Sequence, residues 1–147
     1  MKLCLVSSSG GHLLELMRIE PAWKKHEHFF VTFRREDVAT RLGGERVYYV
    51  TDPKRNPLKV IMNMLQAMRI LARERPDVVI TTGAGVAVPL CYIAKFLGIR
   101  VVFIDTLTAV DGLSLAGRAV YPLADLFIVQ WPELAKKYPR AVLGSVL

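Results

Sequence analysis

Six short apolar runs recur along the chain, at residues 3–6, 29–33, 47–50, 78–81, 101–104 and 126–129, rich in β-branched and aromatic residues and mostly separated by helix-length segments. This is the pattern of a parallel sheet with helices over both faces. Pro76-Asp77 and Gly98 mark helix exits and strand entries. No repeat, low-complexity tract or linker interrupts it, so the spacing predicts one Rossmann-like, doubly wound α/β domain over residues 1–147. In such sheets ligands bind beyond the carboxyl ends of the strands, near the point where strand order reverses. Four loops are expected at that edge, at residues 7–12, 81–85, 105–112 and 130–133.

Composition supports a sizeable core: 52% of residues are hydrophobic and the mean hydropathy is +0.31. The net charge of +7 is uneven, with 14 Lys and Arg against 8 Asp and Glu in residues 1–75, and 6 against 5 in residues 76–147. A basic half suits phosphorylated ligands, anionic headgroups or nucleic acid. Basic residues are not interleaved with aromatics on a strand face, and no nucleic-acid reading motif is present, so nucleic acid is not an expected partner. The opening MKLCLVSSSGGH has a single lysine and an apolar run of four, which is neither a secretory leader nor a membrane span. A cytoplasmic location is expected. Cys4 and Cys91 read as small buried hydrophobes, and neither a metal nor a cofactor is expected.

The stretch Ser7-Ser8-Ser9-Gly10-Gly11-His12 lies between the first strand and an amphipathic segment. Gly10 and Gly11 remove the Cβ atoms that hold a ligand off the backbone, and the helix that follows offers unpaired N–H groups to an anion. Ser9, Gly10 and Gly11 are therefore candidate binding residues. The pattern is neither GxGxxG nor GxxxxGK[ST], and a plain turn with a serine helix cap explains it equally well. His12, at the positive end of a helix, is favoured as neutral imidazole, which can take a proton from a sugar hydroxyl. Gly83 and Gly85 open the next helix in the same way. His26 and His28 fall in what reads as an exposed connection and carry no expected role.

Residues 58–75 place Leu58, Val60, Ile61, Met64, Leu65, Ala67, Met68, Leu71 and Ala72 on about half of a helical wheel, with Lys59, Asn63, Gln66, Arg69 and Arg73 opposite. The width, the methionines and the basic flanks suit a helix that packs on the sheet with one edge and touches lipid headgroups with the other. Leu58, Lys59, Met64 and Met68 are the candidate membrane contacts; a well-buried crossover helix is the alternative.

Taken together, SSSGGH, TTGAGVAVP at residues 81–89 and GLSLAGRAVYPLADLFIVQWPEL at residues 112–134 resemble the membrane-associated subunit of the two-part N-acetylglucosaminyltransferase of asparagine-linked glycosylation (the subunit-fourteen family), with bacterial PssD-type exopolysaccharide relatives. More distantly the chain is similar to the amino-terminal half of MurG-type enzymes. The resemblance implies the acceptor-binding half of a GT-B glycosyltransferase, with the UDP-sugar bound by a separate subunit. It aligns Gly10, Gly11 and His12 with the acceptor motif and Gly83 and Gly85 with the second glycine loop. Asp105 stands where relatives usually carry glutamate, and Ala109 and Asp111 lie where relatives tend to be basic.

The expected function is a glycosyltransferase subunit, inactive alone, that binds a polyprenyl-diphosphate-linked sugar on the cytoplasmic face of an anionic membrane and recruits a donor-binding partner. His12 is the first candidate for the catalytic base, with Asp105 orienting or substituting for it. The chain is expected to end just after its sixth strand, short of a second nucleotide-binding domain. A stand-alone nucleotide-sugar or epimerase-like domain, and a non-catalytic membrane adaptor, are the alternatives.

Overall fold

The structure is a computed structural model that describes residues 1–52, 54, 56–83 and 85–145. Seven strands form one sheet: β1 (Lys2–Val6), β2 (Glu27–Thr32), β3 (Val47–Tyr49), β4 (Val78–Thr81), β5 (Arg100–Ile104), β6 (Leu126–Val129) and β7 (Ala141–Leu143). Their order is β3-β2-β1-β4-β5-β6-β7 and every pairing is parallel. The order reverses between β1 and β4, which places the turns after those two strands side by side at the carboxyl edge. The seventh strand corrects the expected six. It is three residues long and half-exposed at the sheet edge, so it lacks the long apolar run that marks a buried strand.

Helices α1 (Gly11–Arg18), α2 (Glu20–Trp23) and α3 (Glu36–Arg41) cover one face. Leu13, Leu16, Trp23 and Val38 from them close over Leu3, Leu5 and Phe30. On the other face lie α4 (Pro57–Glu74), α5 (Ala87–Phe96), α6 (Leu115–Val120) and α7 (Pro132–Lys137). There Ala67, Leu90, Val120 and Leu134 meet Cys4, Phe29, Val79, Val101 and Phe127. Alternate strand residues thus feed two cores, which is why the runs carry no polar alternation. One part of the sheet stays bare. On the α1–α3 side, Val102 pairs with Leu126 and Ile128 with Val142, and Leu126 and Val142 remain 39% and 50% exposed.

Helix α4 begins at a cap, where the Asn56 Oδ1 accepts the Leu58 N–H at 3.0 Å and Pro57 takes the first helical position. It ends at Arg75, which adopts the left-handed conformation (φ 47°) just before Pro76. Its carboxyl end is tied down by Glu74, which is buried against Lys2 (2.7 Å), Arg46 and the Tyr48 hydroxyl. Burial alone raises a carboxyl pKa, but these three partners outweigh it and hold Glu74 below its ordinary value.

Two expectations are corrected on these elements. Asn63, assigned to the polar side of α4, is buried and donates from Nδ2 to the Thr51 carbonyl at 2.8 Å; an amide suits this spot because it satisfies the backbone of the β3–α4 loop. His28 belongs to β2 rather than to an exposed connection. Its Nε2 lies 2.8 Å from Glu45 Oε2, and its ring meets Trp23 edge-on at 4.9 Å between centroids. Cys4 and Cys91 are buried and free, as expected; burial pushes the Cys91 thiol up to about 12 and Cys4 well above the usual thiol range.

Candidate functional site

The turn after β1 and the turn after β4 are locked together through His12. The His12 Nδ1 lies 2.9 Å from the Thr82 carbonyl oxygen, and the Thr82 hydroxyl donates back to the His12 carbonyl at 2.6 Å. A carbonyl only accepts, so Nδ1 carries the proton in this contact; in the neutral tautomer this leaves Nε2 as an acceptor, with no hydrogen-bond partner among the described residues. Gly83 permits the approach. It has φ +107°, and a Cβ there would touch Phe103 Cζ at 3.4 Å and the His12 ring at 3.6 Å.

Gly10 precedes α1 with φ 77°, and space is open around both Gly10 and Gly11 where a Cβ would stand. The first ladder bond of α1 runs from Leu14 N–H to Gly10 O, which leaves the N–H groups of Gly11, His12 and Leu13 ahead of it without intrahelical acceptors. No acidic residue occupies that first turn and no side chain caps it. The Gly10 N–H itself is taken by Asp37 Oδ2 at 3.2 Å. Ser9 is half-buried beside it, and the Ser7 hydroxyl is buried without a partner among the described residues.

Opposite His12 lies a cleft of about 450 Å³ lined by His12, Gly85, Val88, Ser114, Leu115 and Ala116. Val88 of α5 and Leu115 and Ala116 of α6 make it largely apolar, and His12 and Ser114 are its polar side chains. A hollow of the same size, about 450 Å³, opens at the other edge of the sheet between Leu71, Arg75, Asp77 and Leu97, away from the glycine turns. Among the described residues no three His, Cys, Asp or Glu side chains converge as a metal-ligating group.

Asp105 is at the end of β5 and only 1% exposed. Its Oδ1 accepts the Ser114 hydroxyl at 2.6 Å and the Thr106 N–H at 3.0 Å, and its Oδ2 accepts the Ser114 N–H at 3.0 Å. Ser114 in turn caps α6 by accepting the Gly117 N–H at 2.9 Å. The carboxylate is thus engaged within the chain and orders the loop between β5 and α6. A Cβ at Gly117 would come within 2.8 Å of Asp105 Oδ2, so glycine is required there. The loop is also held from β6: Gln130 Nε2 donates to the Asp105 carbonyl and Trp131 Nε1 to the Leu107 carbonyl, at 2.8 and 2.7 Å. Gly10, Gly11, His12, Gly83, Gly85 and Asp105 therefore share the carboxyl edge.

Leu58, Lys59, Met64 and Met68 lie apart from this cleft, on the outer side of α4. The apolar arc of that helix divides: Ala67, Ile70 and Leu71 face inward, while Leu58, Ile61, Met62, Met64, Leu65 and Met68 stay exposed. Sequence reasoning missed Glu15, which is buried on α1 and reaches the same loop as Asp105; its position, three residues after His12, was the available signal.

A family model described as "Oligosaccharide biosynthesis protein Alg14 like" matches residues 49–147. The chain belongs to this Alg14-like family. A human relative described as UDP-N-acetylglucosamine transferase subunit ALG14 is 27% identical over 180 aligned positions, covering 100% of this chain and 83% of its own. The corresponding subunit of Schizosaccharomyces pombe is 45% identical over 71 positions, covering 45% of this chain and 34% of its own. Among solved structures, MurG of Acinetobacter baumannii superposes with a TM-score of 0.78 at 17% identity, over 90% of this chain and 42% of that one. The UDP-GlcNAc 2-epimerase of Methanocaldococcus jannaschii gives 0.77 at 14% identity, over 97% and 45%. At such identities the likeness is one of fold, and the Alg14-like chain spans less than half of either enzyme. The expected fold class, the half-domain of a GT-B glycosyltransferase, agrees with it.

Proposed function

We propose that this chain is the acceptor-side subunit of a UDP-sugar-dependent glycosyltransferase, binding a polyprenyl-diphosphate-linked sugar and working with a separate donor-binding subunit. The observation that carries the reading is the His12 ring, held by Thr82 so that Nε2 is a free base beside an open cleft, in a chain of the Alg14-like family. In the reaction an acceptor hydroxyl attacks the anomeric carbon of the donor sugar. The carbon–oxygen bond to the diphosphate breaks, UDP leaves with the electron pair, and His12 Nε2 takes the hydroxyl proton. Gly10, Gly11 and Gly85 leave backbone room for the acceptor diphosphate near the amides of α1, with Ser9 and Gly83 as the neighbouring acceptor-binding positions, and each charge-assisted bond there is worth about 1.5 to 3 kcal/mol. Asp105 acts as a positioning residue through Ser114.

Two surfaces support the assembly part of the proposal. The bare sheet face around Leu126 and Val142 offers the donor-binding subunit an apolar seat. The exposed apolar side of α4, with Lys59 and Arg69 beside it, suits an anionic membrane surface at the cytoplasmic face. No helix among the described residues is long and apolar enough to cross a membrane.

The test is reconstitution of the chain with a donor-binding subunit, UDP-N-acetylglucosamine and a polyprenyl-diphosphate sugar. The pair is expected to transfer sugar and the chain alone is not; robust turnover by the chain alone refutes the two-subunit reading. In the pair, His12→Ala is expected to lower kcat by roughly 10² to 10⁴-fold with acceptor binding retained. Near-normal turnover removes His12 as the base.

A further inference from the structure

Glu15 sits on α1 one turn after His12 and is 8% exposed. Its Oε1 accepts the Thr106 hydroxyl at 3.0 Å and the Leu107 N–H at 3.1 Å. Its Oε2 is buried with no hydrogen-bond partner among the described residues. A carboxylate placed this way works against stability, because a desolvated oxygen has given up water for nothing in return. Packing does not explain it. Leu13 and Leu16 already seal α1 onto the sheet, and a methionine at position 15 offers comparable volume without the polar cost.

What Glu15 does achieve is to grip the loop that bounds the cleft. The Leu107 peptide is held at both ends, its N–H by Glu15 from α1 and its carbonyl by Trp131 from the start of α7. Farther along, the same loop delivers Ser114, Leu115 and Ala116 to the wall facing His12. Asp105 fixes the inner end of that loop to α6, but among the described residues it is Glu15 that ties the loop to the helix bearing His12.

We propose that Glu15 is a positioning residue of the acceptor site, which couples the β5–α6 loop to α1 and so sets the width of the cleft between His12 and Ser114. The proposal rests on the acceptor-side reading above. It accounts for a buried charge at the site edge: the carboxylate is retained for the geometry it imposes on Thr106 and Leu107.

The experiment compares wild type, Glu15→Gln and Glu15→Met in the reconstituted pair. Amide exchange at Leu107 is measured without substrate, then kcat, the KM for the polyprenyl-diphosphate sugar, and thermal unfolding. Glu15→Met is expected to speed exchange at Leu107 and to raise the acceptor KM about 10- to 100-fold, the range of a charge-assisted hydrogen bond. Its kcat should change less and its unfolding temperature should hold or rise. Glu15→Gln, which keeps one accepting oxygen, is expected to show a smaller shift in both readouts.

Unchanged exchange at Leu107 in Glu15→Met overturns the proposal, as does a looser loop with an unaltered acceptor KM. It is equally overturned by activity losses that merely follow lost stability, or by a fall in kcat alone. If the wild-type pair transfers nothing to the lipid acceptor, the acceptor-side reading fails instead. Exchange at Leu107 then still decides whether Glu15 holds the loop.

Discussion

Substitution of Gly83 separates backbone strain from disturbance of His12. With φ at +107°, any L-residue at this position enters a sparsely populated region, at a cost of about 1 to 3 kcal/mol. For a chain of 147 residues that corresponds to a fall of roughly 3 to 10 °C in unfolding temperature. Space is a separate matter. An alanine Cβ reaches only ordinary contact with Phe103 and His12, at 3.4 and 3.6 Å, so Gly83→Ala should lose stability while keeping most of its turnover. The two methyl groups of Gly83→Val extend into that contact and must push against the imidazole or Phe103. The hydrogen bond from His12 Nδ1 to Thr82 is then lost, and with it the tautomer that frees Nε2. Turnover in the reconstituted pair should fall at least tenfold, the equivalent of about 1.4 kcal/mol in transition-state stabilisation.

Gly44 supplies the control, since it has φ +84° and nothing within 4 Å of a built Cβ. Gly44→Val should pay comparable backbone strain with turnover retained. Thermal unfolding and steady-state transfer of all three variants and wild type make the assay. Equal turnover in Gly83→Val and Gly44→Val would refute the claim that the His12 setting matters to the reaction.

Changing Met64 and Met68 together to glutamate should abolish flotation of the chain with anionic liposomes, and high salt should weaken wild-type binding; indifference to both removes α4 as the membrane contact. Because Glu74 and Asp125 are held below their ordinary carboxyl values, their stabilisation is present above the unfolded-state pKa and is lost as pH falls through the lower folded values. Resistance to urea should therefore weaken on acidification below the ordinary carboxyl range, and Glu74→Gln should flatten that part of the profile. Cys91, buried with its thiol pushed up to about 12, and Cys4 should resist a thiol reagent in native buffer and react on unfolding; rapid native labelling would contradict the packing around them.

The sheet was legible because β1 and β2 are buried on both faces, and β4, β5 and β6 carry apolar runs even where one of their faces is only half-covered. β7 was not, since its Val142 and Leu143 face solvent at an edge and three residues carry no periodicity. The site at the carboxyl edge was legible through its glycine loops, where Gly10 and Gly83 take positive φ values that only glycine readily supplies. The inner surface of α4 misled a wheel because Asn63 is buried for a backbone partner twelve residues away, a contact set by tertiary folding. Glu15 escaped for the same reason, and Asp105, named from the sequence as a candidate beside His12, could not be seen there as a holder of the loop: both contacts depend on Thr106, Leu107 and Ser114 arriving from distant segments.

The unclad part of the sheet bears on how much of this protein a cell can keep. Val102, Leu126, Ile128 and Val142 form a patch flanked by the open edge of β7, and both features invite adhesion to other unfinished chains. Under the two-subunit proposal, a newly made molecule that meets its donor-binding partner late is exposed to chaperones and proteases for the whole interval. Its abundance should then follow the supply of that partner more closely than the rate of its own synthesis, and overproduction of this chain alone is expected to yield aggregates or rapid turnover. On that proposal, matched synthesis of the two subunits becomes a requirement of proteostasis, imposed by a few half-covered aliphatic side chains.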